Sequence, residues 1–206
     1  MKKIICAALA VALMSVMIFS FCGDAFAASE DKGIYLSFIV DDEALAGCTE
    51  NASLFDTVLD VVRSSGFKIT FFTDVQNYDE NYAAALMKLI AANIPFGAVA
   101  DSRESALEAI KYEKYASKTV SRLLLANPDA KKAGDDFFTV YYDILLKTAL
   151  EIGYGNVSNY GGANIAVEIN AETARAVLPL LDDIKSDGMY IITPTQYGLV
   201  LYGKEE

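Results

Sequence analysis

The feature that most limits how this chain can fold is a repeated change of period along it. Short β-branched and aromatic runs alternate with segments whose apolar residues recur at helical spacing. Ile34–Val40, ending in Asp41-Asp42, reads as a strand. Leu54–Val62 reads as a helix with Ser53 as its N-cap and a stop near Gly66. Lys68–Thr73 is the next strand, Tyr82–Ala92 a helix, Phe96–Ala100 a strand and Ser105–Tyr115 a helix. Leu123–Ala126 is strand-like and broken by Asn127-Pro128. Phe137–Ile152 reads as a helix stopped by Gly153, and Ile165–Ile169 as a strand. Ala174–Lys185 is helical up to Gly188, and Tyr190–Thr193 is a strand closed by Pro194. Six to seven strand–helix units of this kind imply parallel strands with helices outside them. An open doubly wound sheet and a closed barrel both satisfy that pattern. A nucleotide fold fits poorly, because Asp42-Glu43-Ala44 stands where a Gly-rich phosphate loop belongs.

The N-terminus reads as an export signal. Lys2 and Lys3 precede the apolar run Ile4–Phe21, and Ala25-Phe26-Ala27 supplies a small-x-small cleavage site. Residues 1–27 are therefore expected to be a signal peptide, leaving 28–206 as one domain of 179 residues in the cell envelope or outside the cell. A retained membrane anchor is the competing reading, but the cleavage motif directly after the run favours removal, with no stable membrane insertion afterwards. Lipidation at Cys22 is a third reading, opposed by the bulky Phe21 before it. Without Lys2, Lys3 and Asp24 the chain keeps 15 basic and 27 acidic residues, a net charge near −12. Such a surface repels nucleic acid and anionic lipid. Only Cys48 remains after cleavage, so neither an internal disulfide nor a Cys-rich zinc site is available.

Three stretches resemble the polysaccharide deacetylase (NodB-homology) family. They are Gly33–Asp42 with its terminal Asp pair, Phe67–Phe72 followed by Tyr82–Ala98, and Ala174–Thr193 with Leu178-Pro179 and Asp187-Gly188-Met189-Tyr190. The resemblance implies a distorted (β/α) barrel of parallel strands and outer helices, with its site at the carboxyl ends of the strands. It also implies metal-assisted hydrolysis of an N-acetyl group, using an Asp and two His on the metal, a second Asp as base and a further His as acid. On this chain the Asp pair falls on Asp41 and Asp42, or on Ile39 and Val40 when counted from Phe38. The two metal histidines fall near Val99 and Arg103, and the late histidine on Ile169. The chain has no histidine at all, so that mechanism cannot run in the form described.

What remains is a set of carboxylates. Asp41, Asp42, Asp74, Asp101 and Asp129 all follow strand ends, and in a barrel they would ring one mouth. Such groups suit Ca²⁺ or Mg²⁺, with Asp41, Asp42 and Asp101 as the ligand set if any metal binds, and Asp41 and Asp42 as the catalytic pair if any activity remains. Helix capping is the simpler account of each of them. Glu168 reads as a solvated charge; facing inward, it would need a partner such as Lys68 or Arg122. Tyr154 and Tyr160, in the Gly- and Asn-rich segment 154–162, are candidate stacking residues for a sugar. The expected function is a secreted, catalytically inactive deacetylase-like domain that binds glycan or cell-wall material through Asp41, Asp42, Asp74, Asp101, Tyr154 and Tyr160, with no cofactor. The alternatives are a divergent metal-dependent hydrolase of C–N bonds and a structural or partner-binding envelope protein.

Overall fold

A nearly unbroken apolar run, Ile34-Tyr-Leu-Ser-Phe-Ile-Val40, suits a strand covered on both faces. It forms β1 (Gly33–Asp41), buried from Gly33 to Val40 and lying between β2 (Thr70–Asp74) and β7 (Asn164–Glu168). The computed structural model describes residues 33–117, 119–130, 133–157 and 163–192. The expected signal peptide, Cys22, Tyr160 and the Thr193-Pro194 end of the last strand lie outside these residues. The remaining strands are β3 (Phe96–Val99), β4 (Leu123–Ala126), β5 (Phe138–Tyr141), β6 (Ile144–Leu146) and β8 (Tyr190–Ile192). They form one sheet in the order β5-β4-β3-β2-β1-β7-β6, with β8 also pairing β1. Every pairing along that order is parallel, so the carboxyl ends of β1–β7 lie on one side.

The helices are α1 (Asp42–Leu45), α2 (Leu54–Ser65), α3 (Glu80–Ala91), α4 (Arg103–Ser117), α5 (Ala149–Ile152), α6 (Tyr154–Val157) and α7 (Thr173–Ser186). Ser53 caps α2 as its position predicts, and the Ser53 N–H donates in return to the Asp56 carboxylate, completing a capping box. Gly66, at φ 79°, ends α2 in the left-handed conformation that favours glycine. Among the described residues no helix is long and apolar enough to cross a membrane.

The segment 137–152 departs from expectation. It is not one helix but β5, β6 and the single turn α5. Phe138-Thr-Val-Tyr141 and Ile144-Leu-Leu146 are each short enough to be strands, and an apolar run of that length does not announce its period. Pairing decides it: β5 runs beside β4 and β6 beside β7, which supply backbone partners that a helix would not use.

The sheet curls into a half-barrel. Ile39, Phe72, Leu125, Val140 and Ala166, from five strands, form one buried cluster, against which Val99, Leu123, Tyr142 and Leu145 pack. This is the concave side. The alternate residues, Phe38, Val40, Phe71, Ile165, Val167 and Ile169, face outward into the larger core shared with α2, α3 and α7. Phe71 anchors that layer, with the rings of Phe38 and Phe55 edge-on to it at 5.5 and 5.6 Å. Gly97 permits the curl at β3, since a Cβ there would collide with the Leu123 carbonyl and meet the Phe72 ring at 3.0 Å.

Candidate functional site

The period of two that sorts the strands also builds the mouth. Two residues beyond the concave layer of Ile39, Phe72, Val99, Leu125, Val140, Leu145 and Ala166 stand Asp41, Asp74, Asp101, Asn127, Tyr142, Lys147 and Glu168. An apolar floor thus lies under a polar rim. A cleft of about 590 Å³ opens at the carboxyl ends of β2–β5. Asp74, Asp101, Asn127 and Tyr142 line it from the rim, Val99, Ala100 and Ala126 from below, and Tyr78, Ser105 and Glu108 from the α3–α4 side.

The rim carboxylates have different work. Asp41 caps α1, its Oδ1 accepting from the Ala44 N–H at 2.8 Å. Asp42 accepts from the Gln76 N–H at 2.8 Å and the Asn77 N–H at 3.2 Å, pinning the loop that follows β2. Asp74 caps nothing, because Asp79 is the N-cap of α3. Asp101 is exposed on the cleft wall, and the first turn of α4 is capped by Ser102, which accepts from the Ser105 N–H at 3.2 Å. Asp129 is exposed and is not among the cleft-lining residues; Asn127 takes that place.

Asp74 sits where the negative charges meet. Desolvation by the cleft wall, and then Asp41, Glu168, Asp42 and Asp101, push its carboxyl above the usual range. The counterweight is Lys147, whose ammonium meets the Glu168 carboxylate at 2.9 Å and is held protonated by it. Glu168 therefore turns inward, and its partner is Lys147 rather than Lys68 or Arg122. Glu168 reads from sequence as a solvated charge, while Asn127 and the cleft acid Glu108 are not singled out there, although alternation along β4 points to Asn127. Tyr142 and Lys147 were hidden by the helical reading of 137–152. Tyr154 lies in α6, and Tyr160 lies outside the described residues.

Apart from Asp41 and Asp42, which are taken up by backbone N–H groups, the positions that the resemblance assigns to the deacetylase machinery hold no metal-ligating side chain. Ile39 is buried on the concave face and Val40 in the outer core. Val99 forms part of the cleft floor. Arg103 is committed to Asp136 through paired bonds of 3.0 and 2.9 Å, and it also donates to the Ala133 carbonyl. Ile169 is buried in the outer core. Among the described residues no three Asp, Glu or Cys side chains come together in a way that could hold a metal ion, and Asp41, Asp42 and Asp101 form no such set. The described residues of the mouth do not fit the metal that the resemblance implies.

A parallel α/β half-barrel with its cleft at the strand carboxyl ends is a recognisable class, and barrels of this class carry their sites at that face. The particular fold is that of the family 4 carbohydrate esterases, the polysaccharide deacetylase fold that the sequence resembles. No family model and no curated protein matches the sequence. Solved structures match its fold. Peptidoglycan deacetylase PdaC from Bacillus subtilis superposes with a TM-score of 0.61 at 13% identity, over 84% of this chain and 94% of that one. The Xyl-CE4 domain of a multidomain xylanase, from the hindgut metagenome of Trinervitermes trinervoides, superposes with a TM-score of 0.58 at 14% identity, over 84% and 93%. A CE4 family pseudoenzyme from Bacillus anthracis superposes with a TM-score of 0.60 at 11% identity, over 80% and 65%. At such identities the likeness is one of fold.

Proposed function

We propose that this chain is an exported polysaccharide deacetylase-like protein that binds glycan or cell-wall material at its barrel mouth and does not hydrolyse it. The observation that carries this reading is the apolar floor of Ile39, Val99 and Leu125, in a chain without a single histidine. Hydrolysing an acetamide takes a water made nucleophilic near neutral pH and an acid for the departing amine. Asp74, with its raised carboxyl, is the best placed proton acceptor of the rim. The ammonium of Lys147, close enough to feel the charge of Asp74, is already paired with Glu168 rather than free to polarise an acetyl carbonyl. Binding asks for less. A concave site with polar groups on its rim and Tyr78 and Tyr142 on its walls suits a sugar, which has apolar faces and a hydroxyl edge. Inactive relatives of this fold exist, since one of its structural neighbours is a pseudoenzyme. Export rests on the Lys2-Lys3, Ile4–Phe21 and Ala25-Phe26-Ala27 pattern.

The test uses purified protein with chito-oligosaccharides and peptidoglycan fragments, with Zn²⁺, Co²⁺ or Mn²⁺ added. Acetate should not exceed the no-enzyme control, while the same glycans should be retained by the immobilised protein. Acetate release that disappears in Asp74→Asn would replace this reading with a carboxylate-based hydrolase.

A further inference from the structure

Next to the mouth lies a second surface that shares only Tyr78 with the site described above. Tyr78, between β2 and α3, lies parallel to Tyr112 of α4, with ring centroids 4.0 Å apart and planes 4° apart. It also stands edge-on to Tyr82 of α3 at 5.1 Å. Tyr82 is buried and Tyr78 and Tyr112 are half-buried, whereas Tyr115, one turn beyond Tyr112, is 90% exposed. Between α3 and α4 these rings line a groove of about 510 Å³, edged by Asp79 and Glu80. A second basin of about 360 Å³ continues past Tyr112 and Tyr115 and is edged by Lys111 and Lys114. Tyr78 lines both the first groove and the barrel-mouth cleft, and Tyr112 and Tyr115 line both the groove and the second basin. The three hollows therefore adjoin one another in a row, as a track of neighbouring basins.

The chemistry of that track selects its occupant. Each basin has the size of a small-molecule site rather than of a protein interface. Its walls are aromatic and its edges carry charged donors and acceptors of both signs. A pyranose ring matches this, with C–H groups on its faces and hydroxyls around its edge. A monosaccharide in the mouth would leave the tyrosine groove unused, whereas a chain of linked sugars would reach it.

We propose that the Tyr78–Tyr112–Tyr115 groove is an extension site for further sugars of a glycan chain whose first units occupy the barrel mouth. The proposal rests on the glycan-binding reading above. Long and short ligands should then part company. Tyr115 is exposed enough to be replaced without loss of packing, so Tyr115→Ala should fold as the unaltered protein does. Titration calorimetry with chitohexaose and chitobiose, run in parallel with xylohexaose and xylobiose, reads the effect. In Tyr115→Ala the hexamer affinity should fall about three- to tenfold, with the dimer affinity unchanged. Tyr115→Phe, which keeps the ring, should restore the hexamer affinity. Asn127→Ala, in the mouth, should weaken dimer and hexamer alike. If Tyr115→Ala leaves the hexamer unchanged while Asn127→Ala weakens it, the extension site is wrong and the mouth reading stands. If the unaltered protein binds neither length of either sugar, both fall together.

Discussion

The β1 corner of the mouth and its β2–β4 side contain the same residue type at matching places, and they use it differently. Asp41 and Asp42 follow β1 and are spent on backbone N–H groups, one at the start of α1 and the other in the loop after β2. Asp74 and Asp101 follow β2 and β3 and face the open cleft, where other acids repel Asp74. The difference is the supply of donors. A short helix starts at once after β1, and its first amides are within reach of the preceding carboxylate. After β2 the chain runs on to Asp79 before α3 starts, leaving Asp74 out of reach of helical amides. A strand-end acid is therefore a fastener or a ligand-facing group according to what the next few residues do.

Four substitutions sharpen that contrast, and a buried acid outside the mouth, set against the rim acids, gives the largest effect. Glu113 of α4 is 1% exposed, with its Oε2 accepting from the Ser121 N–H at 2.7 Å. Burial pushes its carboxyl up to about 7, against the Ser121 bond, which favours the ionised form. In the folded protein it therefore keeps a proton that the unfolded chain releases near its ordinary value of 4.5. Stability should decline as pH rises through that window and stay lower above it. Glu113→Gln keeps an acceptor for Ser121 without a charge. It should raise stability at pH 8 by up to about 3 kcal/mol and change little at pH 5, read by urea denaturation at both pH values. An equal effect at the two pH values would show that the carboxyl is not neutral when buried.

Next in size are the fasteners. Asp42→Ala should cost about 2 kcal/mol, because two amides of the β2–α3 loop lose a charged acceptor. Asp41→Ala should cost about 1 kcal/mol, the usual loss for a helix cap. Thermal melts at pH 7 measure both, and losses confined to ligand binding would erase the distinction between the two sides.

The smallest effect should have the opposite sign. Asp74→Asn removes a charge that the mouth repels, so at pH 7 it should stabilise the protein by no more than about 0.5 kcal/mol. The gain should fade as pH falls through the raised range of the folded carboxyl, because the native side chain is then neutral as well. A clear destabilisation would place Asp74 among the fasteners.

Much of the architecture was legible because local patterns carried it. The strands near Ile34, Thr70, Phe96 and Ile165 and the helices from Leu54, Glu80, Arg103 and Thr173 lie close to where apolar period and capping residues put them. The resemblance to polysaccharide deacetylases was legible for the same reason, since it rests on framework segments. Most of the site's partnerships were not. Lys147 and Glu168 lie on adjacent strands joined only through the segment from 147 to 168, and Arg103 meets Asp136 across a comparable stretch. Tyr78 finds Tyr112 through the packing of α3 against α4.

The sequence by itself determined the alternation of strand and helix, the acidic balance, and the lack of any imidazole for zinc or proton transfer near neutral pH. It also determined, through the period of two, that a polar residue follows each concave apolar one at the strand ends. The tertiary structure alone decided that 138–146 would be two strands, because β4 and β7 offered this backbone strand partners in place of intrahelical bonds. It alone decided which rim acids would find amide donors and which would be left facing the cleft. Those outcomes depend on distances between segments far apart in the chain, and no local propensity encodes them.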